Sequence, residues 1–142
     1  MALKGNTARF AQNPRNFDAI MTAAMTNLNT DAPTGAVLLA TAGAQGAIVP
    51  RLSVILRAPL LANTGIVLFR SKDGSILRPK GSVTLQSQAA TTAEAMREVD
   101  FAKFSEQRPL RLGPNEQLWI GSMAPPPAGG IAAHGDIVDF IE

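Results

Sequence analysis

His134 and Asp136 stand two residues apart near the end of the chain, and a His–Asp pair can polarise a serine such as Ser122 or Ser53. The spacing does not support that relay. Gly121-Ser122-Met123 holds only one of the two glycines of a nucleophile elbow, so neither serine sits on a G-x-S-x-G turn. His134 is read as a strand histidine bonded to its neighbours. The carboxylates Glu94, Glu98, Asp100 and Glu106 form the other dense group. Paired acids serve glycoside hydrolysis or calcium binding. Here, alternation puts Glu98 and Asp100 on one strand face, where they repel unless Arg97, Lys103 or a partner's charges face them. That pattern reads as a solvated or interface face.

The remaining candidates are weaker. Gly43-Ala44-Gln45-Gly46 lacks the lysine and following helix of a phosphate loop, and Asp73-Gly74 supplies one acid where a calcium loop needs several. Trp119, the only tryptophan, is flanked by Leu118 and Ile120 and reads as core rather than as a sugar-stacking platform. With no cysteine, thiol catalysis, thiolate metal sites and disulfides are excluded, and a single histidine excludes multi-histidine metal clusters. Tyrosine is absent. A small-molecule site collects aromatic and convergent polar groups, and this composition offers few, so no cofactor or metal is expected.

The elements that would position any site are strands. The stretch 52–79 carries three extended runs, 52–57, 65–71 and 75–78, the last two joined across Lys72-Asp73-Gly74-Ser75. Asp-Gly between apolar runs is a hairpin signal, because the turn needs positive φ. Ile66, Leu68 and Arg70 point to one face of the middle run, with Val67, Phe69 and Ser71 on the other. Both faces are largely apolar, so this sheet needs a second sheet on one side and a further cover, such as another chain, on the other.

Further runs follow the same logic. Residues 36–41, 47–57, 82–87, 96–104, 117–123 and 131–141 read as strands, with Pro50 marking an edge, a bulge or a strand start because it has no N–H to donate. Residues 17–28 fit helical spacing through Ile20, Ala24 and Leu28, and also a period of two through Phe17, Ala19 and Met21; the all-β context decides for strand. Thr91-x-x-Glu94 matches a capping box, but no apolar run follows it, so 88–95 reads as a loop. Residues 1–16 lack periodicity and read as an extended N-terminal arm, with 17–142 as one domain. About eight strands at this spacing predict an all-β, jelly-roll-like antiparallel β-sandwich.

At 142 residues the chain is long enough to bury a core unaided. Its net charge of +2 is too small to argue for nucleic acid. No apolar run approaches the roughly 20 residues of a membrane span, and no signal-peptide pattern is present, so a soluble, non-secreted chain is expected. The arginines concentrate at strand ends and beside turns, and arginine is the cation favoured at protein interfaces. The partner-binding candidates are Arg9, Phe10 and Arg15 on the arm, with Arg57 and Arg70 on the central strands. Interleaved aromatics, which a nucleic-acid groove would need, are missing.

Several of these segments carry a family likeness. Arg9-Phe10-Ala11-Gln12-Asn13-Pro14 opens the series, then Thr26-Asn27-Leu28-Asn29-Thr30-Asp31, Leu39-Ala40-Thr41-Ala42-Gly43-Ala44-Gln45-Gly46 and Val67-Leu68-Phe69-Arg70-Ser71-Lys72-Asp73-Gly74. It closes with Leu110-Arg111-Leu112-Gly113-Pro114-Asn115-Glu116-Gln117-Leu118-Trp119-Ile120 and Gly135-Asp136. From Arg9 onward the chain resembles small all-β virion structural proteins of tailed bacteriophages, while 96–104 and the prolines 125–127 depart from the pattern. The resemblance implies no catalytic residues. It implies a capsid decoration (cement) protein made in the host cytoplasm, sitting on the outer surface of the capsid as a homo-oligomer, a trimer, and clamping the major capsid protein. A tail, baseplate or fibre module is the alternative within that class, and a carbohydrate-binding jelly roll using Trp119 the alternative outside it.

Overall fold

A computed structural model describes residues 11–89 and 95–141. Its regular structure is nine strands: β1 (Ala11–Met21), β2 (Val37–Thr41), β3 (Ala47–Leu56), β4 (Thr64–Ser71), β5 (Arg78–Leu85), β6 (Glu98–Asp100), β7 (Leu110–Leu112), β8 (Gln117–Ser122) and β9 (Ile131–Phe140). No helix occurs among the described residues. The alternating apolar runs and the glycine- and proline-rich turns between them account for this.

The chain pairs with itself as one long hairpin bent about residues 72–77. Strand β4 runs antiparallel to β5, β3 to β6 and β7, β2 to β8, and β1 to β9. Rolling that ribbon sets β9 beside β3 and β8 beside β4. Two sheets result, β1-β9-β3-β6 with β7 also on β3, and β2-β8-β4-β5. With β6 and β7 counted as halves of one interrupted strand, this is the eight-strand double sheet of a jelly roll. The all-β sandwich expected from the sequence is the fold.

Between the sheets lie the fully buried Met21, Leu52, Val54, Leu56, Ile66, Leu68, Leu118, Ile120, Ile131 and Ile137. They come from alternate positions, so the partner residues on each strand face outward. Gly135 lets the sheet close tightly here. A Cβ on it would sit 2.3 Å from the Arg51 carbonyl oxygen and 2.8 Å from the Phe17 ring.

Pro50 explains the ninth strand. The β3–β9 register shifts between Ile48 and Arg51, a bulge where the proline has no N–H for the ladder. On the far edge of β3, β6 pairs with Ser53–Ile55 and β7 with Ala47–Val49, and the chain detours through 101–109 around the bulge. The strand expected over 96–104 is therefore only three residues long, and Phe101 turns into the core. Strand β7 was not anticipated, because three residues are too few to show a period.

Other boundaries also move. Residues 75–77 are not strand: the return strand starts at Arg78, and 72–77 form a loop longer than the turn expected across Lys72-Asp73-Gly74-Ser75. Within 17–28 the strand reading holds as far as Met21 and gives way to irregular backbone beyond. Ala11–Asn16, assigned to the arm, lie in β1 in register with β9. The Thr91–Glu94 motif falls outside the described residues.

Candidate interaction site

The two sheets treat their outer faces differently. On β2-β8-β4-β5, Phe69 packs with Met25 and Leu77 in a small second cluster, flanked by Ala36, Val67 and Trp119. Met25 arrives on the β1–β2 connection, anchored by its N–H to the Ser122 carbonyl at 2.8 Å. Leu77 arrives on the β4–β5 loop, its N–H donating to the Asp31 carbonyl at 2.8 Å. The further cover that the sequence calls for, for which another chain was one candidate, is thus supplied by the chain's own connections. Trp119 is half-buried in this outer cluster rather than in the main core, its indole N–H donating to Gln117 Oε1 at 2.9 Å. With one polar atom committed and its ring beside Gly74, it does not stand free as a stacking platform.

Among the described residues nothing covers the outer face of β1-β9-β3-β6 in this way. Ile20, Ile48, Ile55, Val138 and Phe140 belong to neither apolar cluster and remain half-buried or exposed. In one row across this face stand Asp18, His134, Ser53 and Asp100, each opposite the next in the ladders. His134 and Ser53 are therefore neighbours, which spacing alone did not reveal. They do not form a relay. The Ser53 hydroxyl donates to Asp100 Oδ1 at 2.5 Å, and His134 Nε2 lies 3.0 Å from Glu98 Oε2. Ser122 is buried at the inner face of the other sheet, bonded to Thr64 and the Ala124 carbonyl. Glu98 and Asp100 share the outer face, as alternation requires, and find partners in His134 and Ser53. Among the described residues no group of three or more His, Asp or Glu side chains has the arrangement of a metal site.

The partner-binding candidates separate. Arg9 and Phe10 lie outside the described residues. Arg15 is committed within the molecule: Nε and a terminal nitrogen grip Asp139 at 2.7 and 3.0 Å, and that nitrogen also donates to the Thr41 carbonyl at 2.9 Å. Arg57 is exposed and donates to the Gly129 carbonyl at 2.8 Å, tying the β3–β4 connection to the proline-rich loop. Arg70 approaches Glu116 at 3.7 Å, a loose pair that leaves its charge on the flank of the sandwich.

That flank gathers cations. A cleft of about 600 Å³ opens between β5 and the detour leading into β7, and Arg70, Lys80, Lys103, Arg108 and Arg111 line it with no carboxylate among the lining residues. Among the described residues no carboxylate lies within 4.0 Å of Lys80, Lys103, Arg108 or Arg111. Sequence reasoning puts Arg70 among the partner-binding candidates and counts Arg108 and Arg111 with the interface-type arginines, but nothing local shows that they share a cleft with Lys80 and Lys103, since the detour through 101–109 brings 103–111 to Arg70. On the neighbouring loop the Ser75 hydroxyl and N–H both donate to Asp73 Oδ1, at 2.5 and 2.9 Å, holding its carboxyl below the ordinary 3.8. A depressed folded value favours this loop above the unfolded pKa, and the preference is lost as pH falls through the folded one.

No family model matches the chain, and no curated protein does. Among solved structures, chains from infectious bursal disease virus, Gt and Gx strains, overlay with TM-scores of 0.32 and 0.31 at 9% and 8% identity. The overlays cover 96% and 89% of this chain and 34% and 32% of the viral ones, so the chain spans about a third of their length. A likeness this loose says nothing of what this chain does.

Proposed function

We propose that the chain is a virion structural protein without enzymatic activity: a capsid decoration (cement) protein of a tailed bacteriophage, bound on the outside of the shell to the major capsid protein. The observation that carries this reading is the unequal sealing of the two sheets. One outer face is closed by the chain's own loops, whereas the other keeps half-buried apolar side chains among charges, the make-up of a surface that meets protein. The Ser, His and acid side chains nearest to a catalytic arrangement bond each other in pairs that hold strands together. The resemblance of the sequence to phage virion proteins supplies the identity of the partner.

Each copy would bury area across a seam between shell subunits, and roughly 1,600 Å² is enough for stable attachment. Symmetry-related copies, grouped as trimers, add avidity. The residues before β1, with Arg9 and Phe10, would reach the shell as an arm. Copy number in purified particles tests the reading. A number comparable with that of the shell protein is expected; a handful assigns the chain to the tail or baseplate, and absence from the particle overturns the proposal.

A further inference from the structure

We propose that the open face of β1-β9-β3-β6 is the docking surface for a second copy of this chain, whose basic cleft receives it head to tail. The face is apolar, crossed by an acidic row that runs between Ile20 and Ile55 on one side and Val138 and Phe140 on the other. Ile20, Ile55, Val138 and Phe140 give it area that no described segment covers, and Asp18, Asp100 and Glu98 give it negative charge. Two cations share these strands' outward positions. Arg51 is tied to Asp136 at 3.1 Å, and Arg111 stands at the far corner opposite Ile48, where it lines the cleft. His134 is paired with Glu98 at 3.0 Å.

The cleft is the complement. Five cations share one depression of about 600 Å³, and among the described residues only Arg70 has a carboxylate near it, so the other four repel one another until an anion joins them. The walls also carry Phe104, Pro109 and Leu110, so the occupant presents carboxylates beside apolar side chains. Single-stranded nucleic acid is less well matched. It needs a series of aromatic platforms, and Phe104 is the only aromatic lining residue. An acidic protein of another kind would satisfy the cleft and leave the acidic face unmet. A second copy satisfies both. Because the two patches share only the Arg111 corner and are otherwise different surfaces, the contact is heterologous, and it closes into a ring if the rotation allows. The inference therefore rests on the homo-oligomeric part of the decoration reading and gives it a contact.

The experiment is a charge swap on purified protein without capsids, with mass followed by light scattering. The wild-type chain is expected to assemble at low ionic strength and to dissociate as salt screens the patches. Arg108→Glu with Arg111→Glu should give a monomer, as should Asp18→Lys with Glu98→Lys. All four changes in one chain should restore the assembly. Circular dichroism and Trp119 emission verify that each variant keeps the fold. Assembly that persists in Arg108→Glu/Arg111→Glu, or is not restored by the four changes, overturns this contact and leaves the decoration reading standing. A wild-type monomer at low ionic strength overturns the contact and the oligomer together, whether the cleft then binds nucleic acid, an acidic peptide or nothing; copy number in particles still tests the decoration reading by itself.

Discussion

Asp139 is the most constrained ionisable side chain of the described chain. It is 6% exposed, yet its oxygens accept from both ends of the Arg15 guanidinium and from the Gly43 N–H at 3.0 Å. Because Arg15 also reaches the Thr41 carbonyl, a residue of β1 links its own sheet to the edge of the other. Removing Arg15 leaves a buried carboxylate with one backbone donor, whereas a lysine would offer a point charge in place of the two-pronged grip. Arg15→Ala should cost about 1.5 kcal/mol, the lower end for hydrogen bonds to charge because the guanidinium is partly exposed, measured by urea denaturation. A loss below about 0.5 kcal/mol would return Arg15 to the class of surface cations and to its expected place at a partner's surface.

Among the elements, the loops over β2-β8-β4-β5 decide which face of the molecule is available. Leu77 reads in sequence as part of a strand, but a strand starting at residue 75 would leave Phe69 and Trp119 bare. Sending Leu77 back over Phe69 buries it to 5% exposure and moves the start of β5 to Arg78. Met25 does the same from the other side and fills the space above Gly121, where a Cβ would sit 2.1 Å from its sulfur. Met25→Ala should destabilise the chain by about 2 kcal/mol, the low end for truncating a buried methionine, since the cluster lies near the surface. It should also shift Trp119 emission to longer wavelength. Unchanged emission would mean that Met25 does not shield the indole. The interrupted strand opposite β3 flanks Pro50: β6 pairs beyond it and β7 before it, and the chain between them swings Lys103 and Arg108 out to Arg70.

For the whole molecule, a jelly roll with one sealed and one open face fits an object whose work is contact. Deleting residues 1–10, stopping short of the β1–β9 ladder, tests the arm: occupancy on expanded heads should fall while the melting temperature holds, and unchanged occupancy would remove Arg9 and Phe10 from the interface. Much of this architecture was legible beforehand. Period-two runs, Asp73-Gly74 and the proline-rich loop at 125–127 record local preferences that each segment carries wherever it is placed, so the class and the longer strands could be read directly, whereas the short β6 and β7 and the start of β5 could not. The site was legible only in part. Arg70 and Arg57 stand out by type, but Arg15 looks the same in sequence and turns out to be bound within the fold. The amino-acid order by itself determined that this chain makes a two-sheet sandwich with apolar side chains left over. Tertiary structure alone decided which face keeps them and which cations share a cleft, because covering a face and gathering charges depend on contacts between segments far apart in the chain, and a local pattern carries no information about what will lie across from it.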